Sequence, residues 1–304
     1  MKMYIMRGPS GSGKSTEARK LQAATDATIV SRDIIRQMLG ATEKTALDTA
    51  GERRVTKMEH ALIREAFNRG ESVIIDNMNL DNRRAAAYAD LAHLQGVPFE
   101  VRNVFNAERE AIELCVQRSP LPESVVRRQC AKALKMRPLN DYVRVPLMTP
   151  VQQDKGLPDR YIMDIDGTLA DSTGLRSPYD YTKVQCDRPI RAVSELATGV
   201  QQQCILNGWD EWVPSVVFVS GRDEECRHET ERWLRDNLGF SPELYMRAHG
   251  DKRHDAVVKR EILERDLLPR YYILGAIDDR LRVLSMWQAS GIFTFNVNQT
   301  GADF

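Results

Sequence analysis

Midway along the 304-residue chain, Arg160-Tyr-Ile-Met163 reads as an extended, largely apolar strand with two carboxylates at its C-terminal end, Asp164 and Asp166, followed by Gly167-Thr168-Leu169. A spacing of two puts both carboxylates on one side of an extended chain. Acids so placed suit covalent chemistry at phosphorus. Asp164 attacks to form an aspartyl-phosphate, while Asp166 protonates the leaving oxygen and later activates water. Gly167 allows a sharp turn, and Thr168 offers phosphate a hydroxyl.

Further pieces follow in order. Val216-Val-Phe-Val-Ser220-Gly-Arg222 is a strand ending in a serine suited to phosphate, Lys259 falls on a later helix, and Ile273 to Ile277 leads into Asp278-Asp279. A lysine neutralises phosphoryl oxygens, and the acidic pair completes an oxygen shell for Mg2+ with Asp164 and Asp166. Any one of these is weak alone, since Ser-Gly-Arg also suits a turn, Lys259 a solvated helix and Asp-Asp a helix start. Together and in sequence they resemble the haloacid dehalogenase-like phosphatase superfamily.

A second signature lies near the N-terminus. A short apolar strand, Met3 to Met6, runs into Gly8-Pro-Ser-Gly11-Ser12-Gly13-Lys14-Ser15-Thr16 and then a helix from about Lys14 to Ala23. Strand, glycine-rich loop and helix in that order define a P-loop. Its glycines let backbone amides approach phosphate, the helix N-terminus favours anions, Lys14 reaches the β- and γ-phosphates, and Ser15 ligates magnesium. Gly8, Gly11, Ser12, Gly13, Lys14, Ser15 and Thr16 are therefore the candidate binding set for ATP with Mg2+.

The rest of the first half supplies candidate partners for that loop. Ile29-Val-Ser-Arg-Asp33-Ile-Ile-Arg36 is a strand running into a helix. Asp33 there either takes the proton of an attacking hydroxyl, with Arg36 toward the same phosphate, or complements the helix N-terminus. Residues 48 to 69 place Val55, Met58, Leu62 and Ala66 at helical spacing for packing, with Gly70 at the end. Ser72-Val-Ile-Ile-Asp76 is a buried strand ending in a carboxylate that serves metal or acceptor, or fixes the following loop; Asp81 caps the next helix. Phe99 to Phe105 is a strand and Ala107 to Arg118 a helix. Arg118 to Arg144 then holds seven basic residues against two acidic ones, with a helix near Glu123 to Met136. Most of that run is a solvated face; Arg127 is the candidate that swings over the phosphates, with Arg128 and Arg118 as alternatives.

Proline-rich, polar Pro138 to Pro158 reads as an interdomain connection, so two α/β domains are expected: 1–150, the P-loop domain, and 151–304, the phosphatase domain, each a parallel sheet flanked by helices. The 42% hydrophobic and 28% charged residues are those of a globular protein, and no apolar run approaches membrane-spanning length. Zero net charge argues against a bulk electrostatic coat for nucleic acid but leaves local basic patches. Five dispersed cysteines without a Cys-x-x-Cys pair signal neither zinc nor disulfides, Asn298-Gln-Thr300 is a chance glycosylation match, and His249 and His254 take no role. A glycine-rich loop so close to the N-terminus leaves no room for a signal peptide, so a cytosolic protein without a membrane partner is expected.

The first half alone resembles P-loop phosphotransferases of the polynucleotide kinase type: P-loop, Ser31-Arg-Asp33-x-x-Arg36, Asp76-x-x-Asn79, and an arginine lid. Small-molecule kinases share the loop, so this half does not choose the acceptor. Both halves in this order, with Arg176-Ser-Pro-Tyr-Asp180, Gly250-Asp-x-Arg-x-Asp255, Val257-Val-Lys259, Ile277-Asp-Asp-Arg280 and Gly301-Ala-Asp-Phe304, resemble the polynucleotide kinase-phosphatases of the bacteriophage T4 type over essentially the whole chain. The resemblance implies transfer of the ATP γ-phosphate to 5′-hydroxyl RNA or DNA ends and removal of 3′-phosphate or 2′,3′-cyclic phosphate, upstream of a ligase. It implies Lys14 and Ser15 on ATP, Asp33 as general base, Arg36 and Asp76 toward the acceptor, and Arg127 at the transition state. In the second half it implies Asp164 as nucleophile, Asp166 as acid and base, Arg176, Ser220, Arg222, Asp255 and Lys259 around phosphate or substrate, Asp278 and Asp279 near the metal, and a homo-oligomer. The lid matches loosely, and residues 199 to 214 follow no motif. The competing readings are a small-molecule kinase fused to a metabolite phosphatase, which the basic segment 118–144 disfavours, and a scaffold that binds RNA ends without turnover.

Overall fold

A computed structural model describes residues 1–41, 47–106, 108–177, 180–206 and 215–298, the side chains of 203–206 excepted. Trp209, Trp212, the 298–300 acceptor triplet beyond Asn298, and Gly301-Ala-Asp-Phe304 lie outside the described residues. The chain divides into two units, Met1–Leu147 and Met148–Phe304. Each is built on a parallel sheet.

In the first unit the strands are β1 (Met3–Arg7), β2 (Thr28–Val30), β3 (Val73–Ile75) and β4 (Phe99–Asn103), in the order β2-β3-β1-β4. Val73, Ile74 and Ile75 are all fully buried, as a continuous apolar run must be when both sheet faces are covered. The helices are α1 (Lys14–Thr25), α2 (Arg32–Met38), α3 (Thr49–Asn68), α4 (Asn82–Leu94), α5 (Arg109–Arg118) and α6 (Glu123–Ala133). Asp81 caps α4 as expected, accepting from the Arg84 amide.

α3 packs differently from the expected spacing. Val55 and Ala66 are buried, but Leu62 is 43% exposed, and Ile63, Phe67 and Glu59 complete the buried stripe. The stripe runs through a carboxylate because Glu59 is fully paired. Arg32 Nη1 donates to it at 2.7 Å, Tyr88 Oη at 2.8 Å and Asn77 Nδ2 at 2.9 Å. The spacing thus places Val55 and Ala66 in the core and Met58 half-buried against it, but an apolar pattern cannot point to a glutamate, and Leu62 falls outside the stripe.

The connecting segment has one 3-10 turn, Leu139–Tyr142, and is otherwise irregular up to the next strand. Each end of it is held within its own unit. The Arg144 and Val145 amides donate to Asp90 in the first unit, while Arg260 Nη1 donates to the Thr149 carbonyl and the Val151 amide to the Ser290 carbonyl in the second.

The second unit contains β5 (Asp159–Met163), β6 (Ala170–Asp171), β7 (Arg188–Pro189), α7 (Arg191–Leu206), β8 (Val216–Asp223), α8 (Arg227–Leu238), β9 (Glu243–Arg247), α9 (Asp255–Ile262), β10 (Tyr272–Asp278), α10 (Leu281–Ala289) and β11 (Thr294–Asn296). Its sheet runs β11-β10-β5-β8-β9, and β6 and β7 form a separate antiparallel pair. A core around Met163, Phe218, Trp233, Leu234 and Ile277 lies on one sheet face. The middle strands therefore end side by side, which is where an open parallel sheet presents ligands.

Glu59→Ala leaves the Arg32 guanidinium and the Tyr88 hydroxyl without their buried acceptor. Loss of one partner of a buried pair costs about 3–5 kcal/mol. Urea denaturation followed by far-UV circular dichroism is expected to show the Met1–Leu147 unit destabilised by an amount of that order, whereas Leu62→Ala, at an exposed position, changes it little.

Candidate active sites

In the second unit the ends of three adjacent strands and one helix converge. β5 ends at Met163 and delivers Asp164, β10 ends at Asp278, β8 carries Ser220 and Arg222, and α9 carries Lys259. Lys259 Nζ lies 2.7 Å from Asp164 Oδ1, 2.9 Å from Asp278 Oδ2 and 3.8 Å from Asp255 Oδ2, and is almost wholly buried. Burial pushes the Asp164 carboxyl up, Lys259 pulls it down, and the Asp278 charge raises it again. Burial lowers Lys259, but the carboxylates around it more than reverse this, so the ammonium keeps its proton.

Asp164, Asp278 and Asp279 present one oxygen each within 4.8 Å of one another. Burial and the neighbouring Asp164 charge push Asp279 up to about 6. Crowded carboxylate oxygens with raised proton affinity suit a hard divalent cation such as Mg2+, which prefers oxygen ligands. Gly167, at φ +82°, turns the chain directly beneath this group; a Cβ there would collide with Asp279 Oδ2.

Asp166 departs from the expected geometry. Its carboxylate does not join the metal cluster: Oδ2 accepts from Arg222 Nε at 2.9 Å, and Oδ1 from Arg222 Nη2 at 2.7 Å and Arg176 Nη2 at 3.0 Å. The same-side rule fails because β5 has already ended at Met163 and the chain is turning toward Gly167. Burial raises the Asp166 carboxyl, but Arg222 and then Arg176 outweigh it and hold it below the usual range.

Both arginines are shared with Asp187, which the sequence reading missed. Asp187 accepts from Arg176 Nε at 2.6 Å and from Arg222 Nη2 at 2.7 Å, with its side chain inaccessible to solvent. It lies in Cys186-Asp-Arg-Pro189, a stretch without motif, so no local signal marked it. Ser220 is fully buried, and its Oγ accepts from the Arg222 amide at 3.2 Å.

Asp255, on α9, accepts from Arg247 Nη2 at 3.1 Å and Arg280 Nη1 at 3.2 Å. Arg247 also donates to the carbonyls of Gly221, Asp251 and Arg253, tying the Ser220 strand to the loop before α9. Neither arginine had been assigned a site role, although Arg280 stands in a recognised motif. His249 is exposed beside Asp223, and His254 caps α9 by accepting from the Ala256 amide.

In the first unit the P-loop follows β1, next to the end of β3. Lys14 is mostly buried, with Nζ donating to the Pro9 carbonyl at 2.7 Å. Burial lowers its ammonium, opposed by the charges of Asp76, Cys115 and Asp33. Gly11 has φ +77°, and a Cβ there would meet the Cys115 carbonyl. The buried Ser12 Oγ has no hydrogen-bond partner among the described residues. A glycine cradle, a buried lysine and an unpaired buried hydroxyl fit a polyphosphate, whose oxygens supply acceptors for all three. Ser15 and Thr16 open α1 and are exposed.

Asp33 is 83% exposed at the side chain and is held by Arg36 Nη1 at 2.7 Å. Arg36 in turn donates to Glu52 through Nε at 2.7 Å and Nη2 at 3.1 Å, so Glu52, another missed residue, orients it. Arg127 is not brought to the loop: Glu123 and Glu113 accept its hydrogen bonds, at 2.6 Å and 2.9 Å. α6 meets the P-loop through Gln129, whose Oε1 accepts from the Ser10 amide at 2.9 Å. Among the three lid arginines, Arg118 lines a cleft of about 340 Å3 beside Gly11 and Ser12.

The two sites define a chain with a P-loop nucleotide-binding domain and an aspartate-based phosphatase domain. Residues 158–304 match the polynucleotide kinase PNKP phosphatase domain family, and residues 3–137 match the AAA domain family. The two family matches fall one in each unit, the phosphatase family on the second and the AAA family on the first. Among curated proteins, the chain is 28% identical over 318 residues to a putative bifunctional polynucleotide kinase/RNA ligase of Autographa californica nuclear polyhedrosis virus, covering 99% of this chain and 43% of that protein. The chain therefore spans less than half the length of that relative. Among solved structures it is similar to a chain of the Pnkp1/Rnl/Hen1 RNA repair complex, at 26% identity and TM-score 0.44 over 97% of this chain and 95% of that one. A gluconokinase from Sinorhizobium meliloti 1021 matches 48% of this chain and 81% of that chain, at 18% identity and TM-score 0.33.

A divalent cation at Asp164, Asp278 and Asp279 must displace protons, and Asp279 holds one increasingly as pH falls through about 6. Metal affinity at such sites falls with pH because only deprotonated ligands bind. Thermal melts are expected to show a larger Mg2+-induced rise in the second unit's transition at pH 8 than at pH 6, and the rise is expected to shrink at both pH values in Asp279→Asn.

Proposed function

We propose that the chain is a bifunctional nucleic-acid end-healing enzyme. It transfers the ATP γ-phosphate to a 5′-hydroxyl RNA or DNA end and removes a 3′-phosphate or 2′,3′-cyclic phosphate. The observation that carries this reading is the Lys259 bridge between Asp164 and Asp278 within residues 158–304, the part that matches the polynucleotide kinase PNKP phosphatase domain.

In the phosphatase unit, an Asp164 oxygen attacks the phosphorus of a 3′-phosphate, the bond to the 3′-oxygen breaks, and Asp166 gives that oxygen a proton. Water then attacks the aspartyl-phosphate while Asp166 takes its proton, releasing phosphate and restoring Asp164. Asp166 is held ionised by Arg222 and Arg176. An incoming phosphate engages these same donors, weakening their hold and raising the Asp166 proton affinity for the first step. Lys259 keeps Asp164 nucleophilic and meets the phosphoryl oxygens, Ser220 adds a hydroxyl, and Asp255 positions Arg280 at the rim. Asp278 and Asp279 with Asp164 would hold Mg2+, which supplies charge neutralisation at phosphorus.

In the kinase unit, Asp33 takes the proton of the 5′-hydroxyl as its oxygen attacks the γ-phosphorus and ADP leaves. Arg36, held by Glu52, and Asp76 face the acceptor. Lys14 and the amides from Gly11 to Thr16 hold the donor phosphates, and Ser15 would hold the accompanying Mg2+. Arg118, Arg127 or Arg128 closes over them from the lid. Healed ends of this kind are substrates for a ligase, which we place downstream. Cys115, Cys130, Cys186 and Cys226 are free thiols, and no helix among the described residues is long and apolar enough to cross a membrane, in keeping with a cytoplasmic setting.

Purified protein with Mg2+, ATP and an RNA oligonucleotide bearing a 5′-hydroxyl and a 3′-phosphate is expected to gain the first phosphate and lose the second, read by mass. Unchanged ends, with transfer to nucleosides or sugars instead, would turn the assignment to a small-molecule kinase. Lys14→Ala is expected to abolish the gain and spare the loss, Asp164→Ala the reverse, each by at least about a thousandfold, the scale of removing a catalytic group.

A further inference from the structure

The first amides of an α-helix have no partner within it, so the placement of α2 depends on what takes them up. Ser31 stands at the N-cap, where a hydroxyl commonly serves, yet its side chain makes no capping bond. Another strand supplies an acceptor. The Arg32 amide donates to Asn77 Oδ1 at 3.0 Å, across 45 positions of sequence. Asn77 follows Asp76 just past β3, and Arg32 precedes Asp33 at the start of α2. One side chain thus joins the neighbours of both candidate carboxylates.

Asn77 is itself held from behind. Its Nδ2 donates to Glu59 Oε1 at 2.9 Å and to Tyr88 Oη at 3.1 Å, and these acceptors fix which end of the amide is turned to α2. Glu59 also accepts from Arg32 Nη1 at 2.7 Å, so the main chain and side chain of Arg32 close a ring through Asn77 and Glu59. Arg32 Nη2 donates onward to Glu52 Oε2 at 3.0 Å, and Glu52 holds Arg36, the partner of Asp33. Up to this point the sheet does the same work: Val30 pairs with Ile75, and the Asp76 amide donates to the Val30 carbonyl at 2.9 Å. The asparagine continues the link where the ladder stops. An asparagine past a strand end commonly fixes its own loop. The three bonds of Asn77 go instead to α2, α3 and α4.

We propose that Asn77 is a positioning residue for phosphoryl transfer, setting Asp33 and Arg36 at the start of α2 against Asp76 at the end of β3. The inference rests on the kinase reading of the first unit and adds a residue that acts through its neighbours. Without Asn77, α2 keeps its packing through the buried Ile35, but its first turn loses the tether to β3. A shift of about 1 Å at a reacting group can cost on the order of a hundredfold in rate. The P-loop holds the donor separately, so the loss falls on kcat and spares ATP binding.

The test is Asn77→Ala, assayed for 5′-hydroxyl phosphorylation alone and in a double-mutant cycle with Asp33→Ala. kcat is expected to fall on the order of tenfold to a hundredfold, while the ATP KM and 3′-phosphate removal stay as in the wild type. On the residual rate of Asp33→Ala the same substitution is expected to cost less than about twofold, because the group it positions is already gone. Tyr88→Phe removes a bond behind Asn77 but leaves the Arg32 amide its acceptor; it is expected to lower thermal stability and keep kcat within about threefold of wild type. Should Asn77→Ala not fold, Asn77→Gln, which keeps the amide but moves it out by a methylene, carries the same expectations. A wild-type kcat in the folded variant, equal losses with and without Asp33, or an equal kcat loss in Tyr88→Phe would overturn the proposal and leave the kinase reading standing. A wild-type protein that phosphorylates no 5′-hydroxyl end would overturn that reading and this inference with it.

Discussion

The second unit depends on one buried cation. Lys259 sits between Asp164 and Asp278 with almost no solvent contact, and an ammonium so placed is tolerable only because carboxylates face it. The same pairing makes the carboxylates tolerable. Asp164, Asp255, Asp278 and Asp279 could not gather at the end of one sheet without Lys259 and Arg280 among them. Charge balance at this point therefore ties α9 to the ends of β5 and β10, and the fold of the unit and its chemistry rest on one set of contacts.

Both units obtain their sites from the same geometric fact. In a parallel sheet every strand ends on the same side, so side chains just past neighbouring strands meet although they are far apart in sequence. Asp164 and Lys259 are 95 positions apart, yet 2.7 Å separates their charged atoms. In the first unit Lys14, Asp33 and Asp76 follow β1, β2 and β3, three neighbours in the sheet. Order along the chain thus sets which residues can meet.

This also explains what was legible beforehand. The P-loop, Asp164 to Thr168, Ser220 to Arg222 and Asp278-Asp279 each pair an apolar strand with polar residues at its end, a pattern visible in one dimension. The residues that escaped work across elements. Asp187 neutralises two arginines from a loop without motif, Arg247 gathers three carbonyls, and Glu59 stands within an apolar stripe because three donors from α2, the β3 loop and α4 meet there. Such roles depend on who the neighbours are, and spacing carries no trace of them. Asp166 shows the opposite failure: a sound rule for extended chain does not reach a residue three positions past Met163, where the strand stops.

Asp187 also bears on what happens after the chemistry. Arg176 and Arg222 spend their guanidinium donors on Asp187 and Asp166, so an arriving anion finds them engaged and must trade places with part of that network. Such exchange returns less net binding than an open pair of arginines would give, and it does so for substrate and for freed phosphate alike. The carboxylate network thus acts as a built-in competitor for any anion at these two arginines, and under the proposed phosphatase reading it is what would keep spent product from lingering.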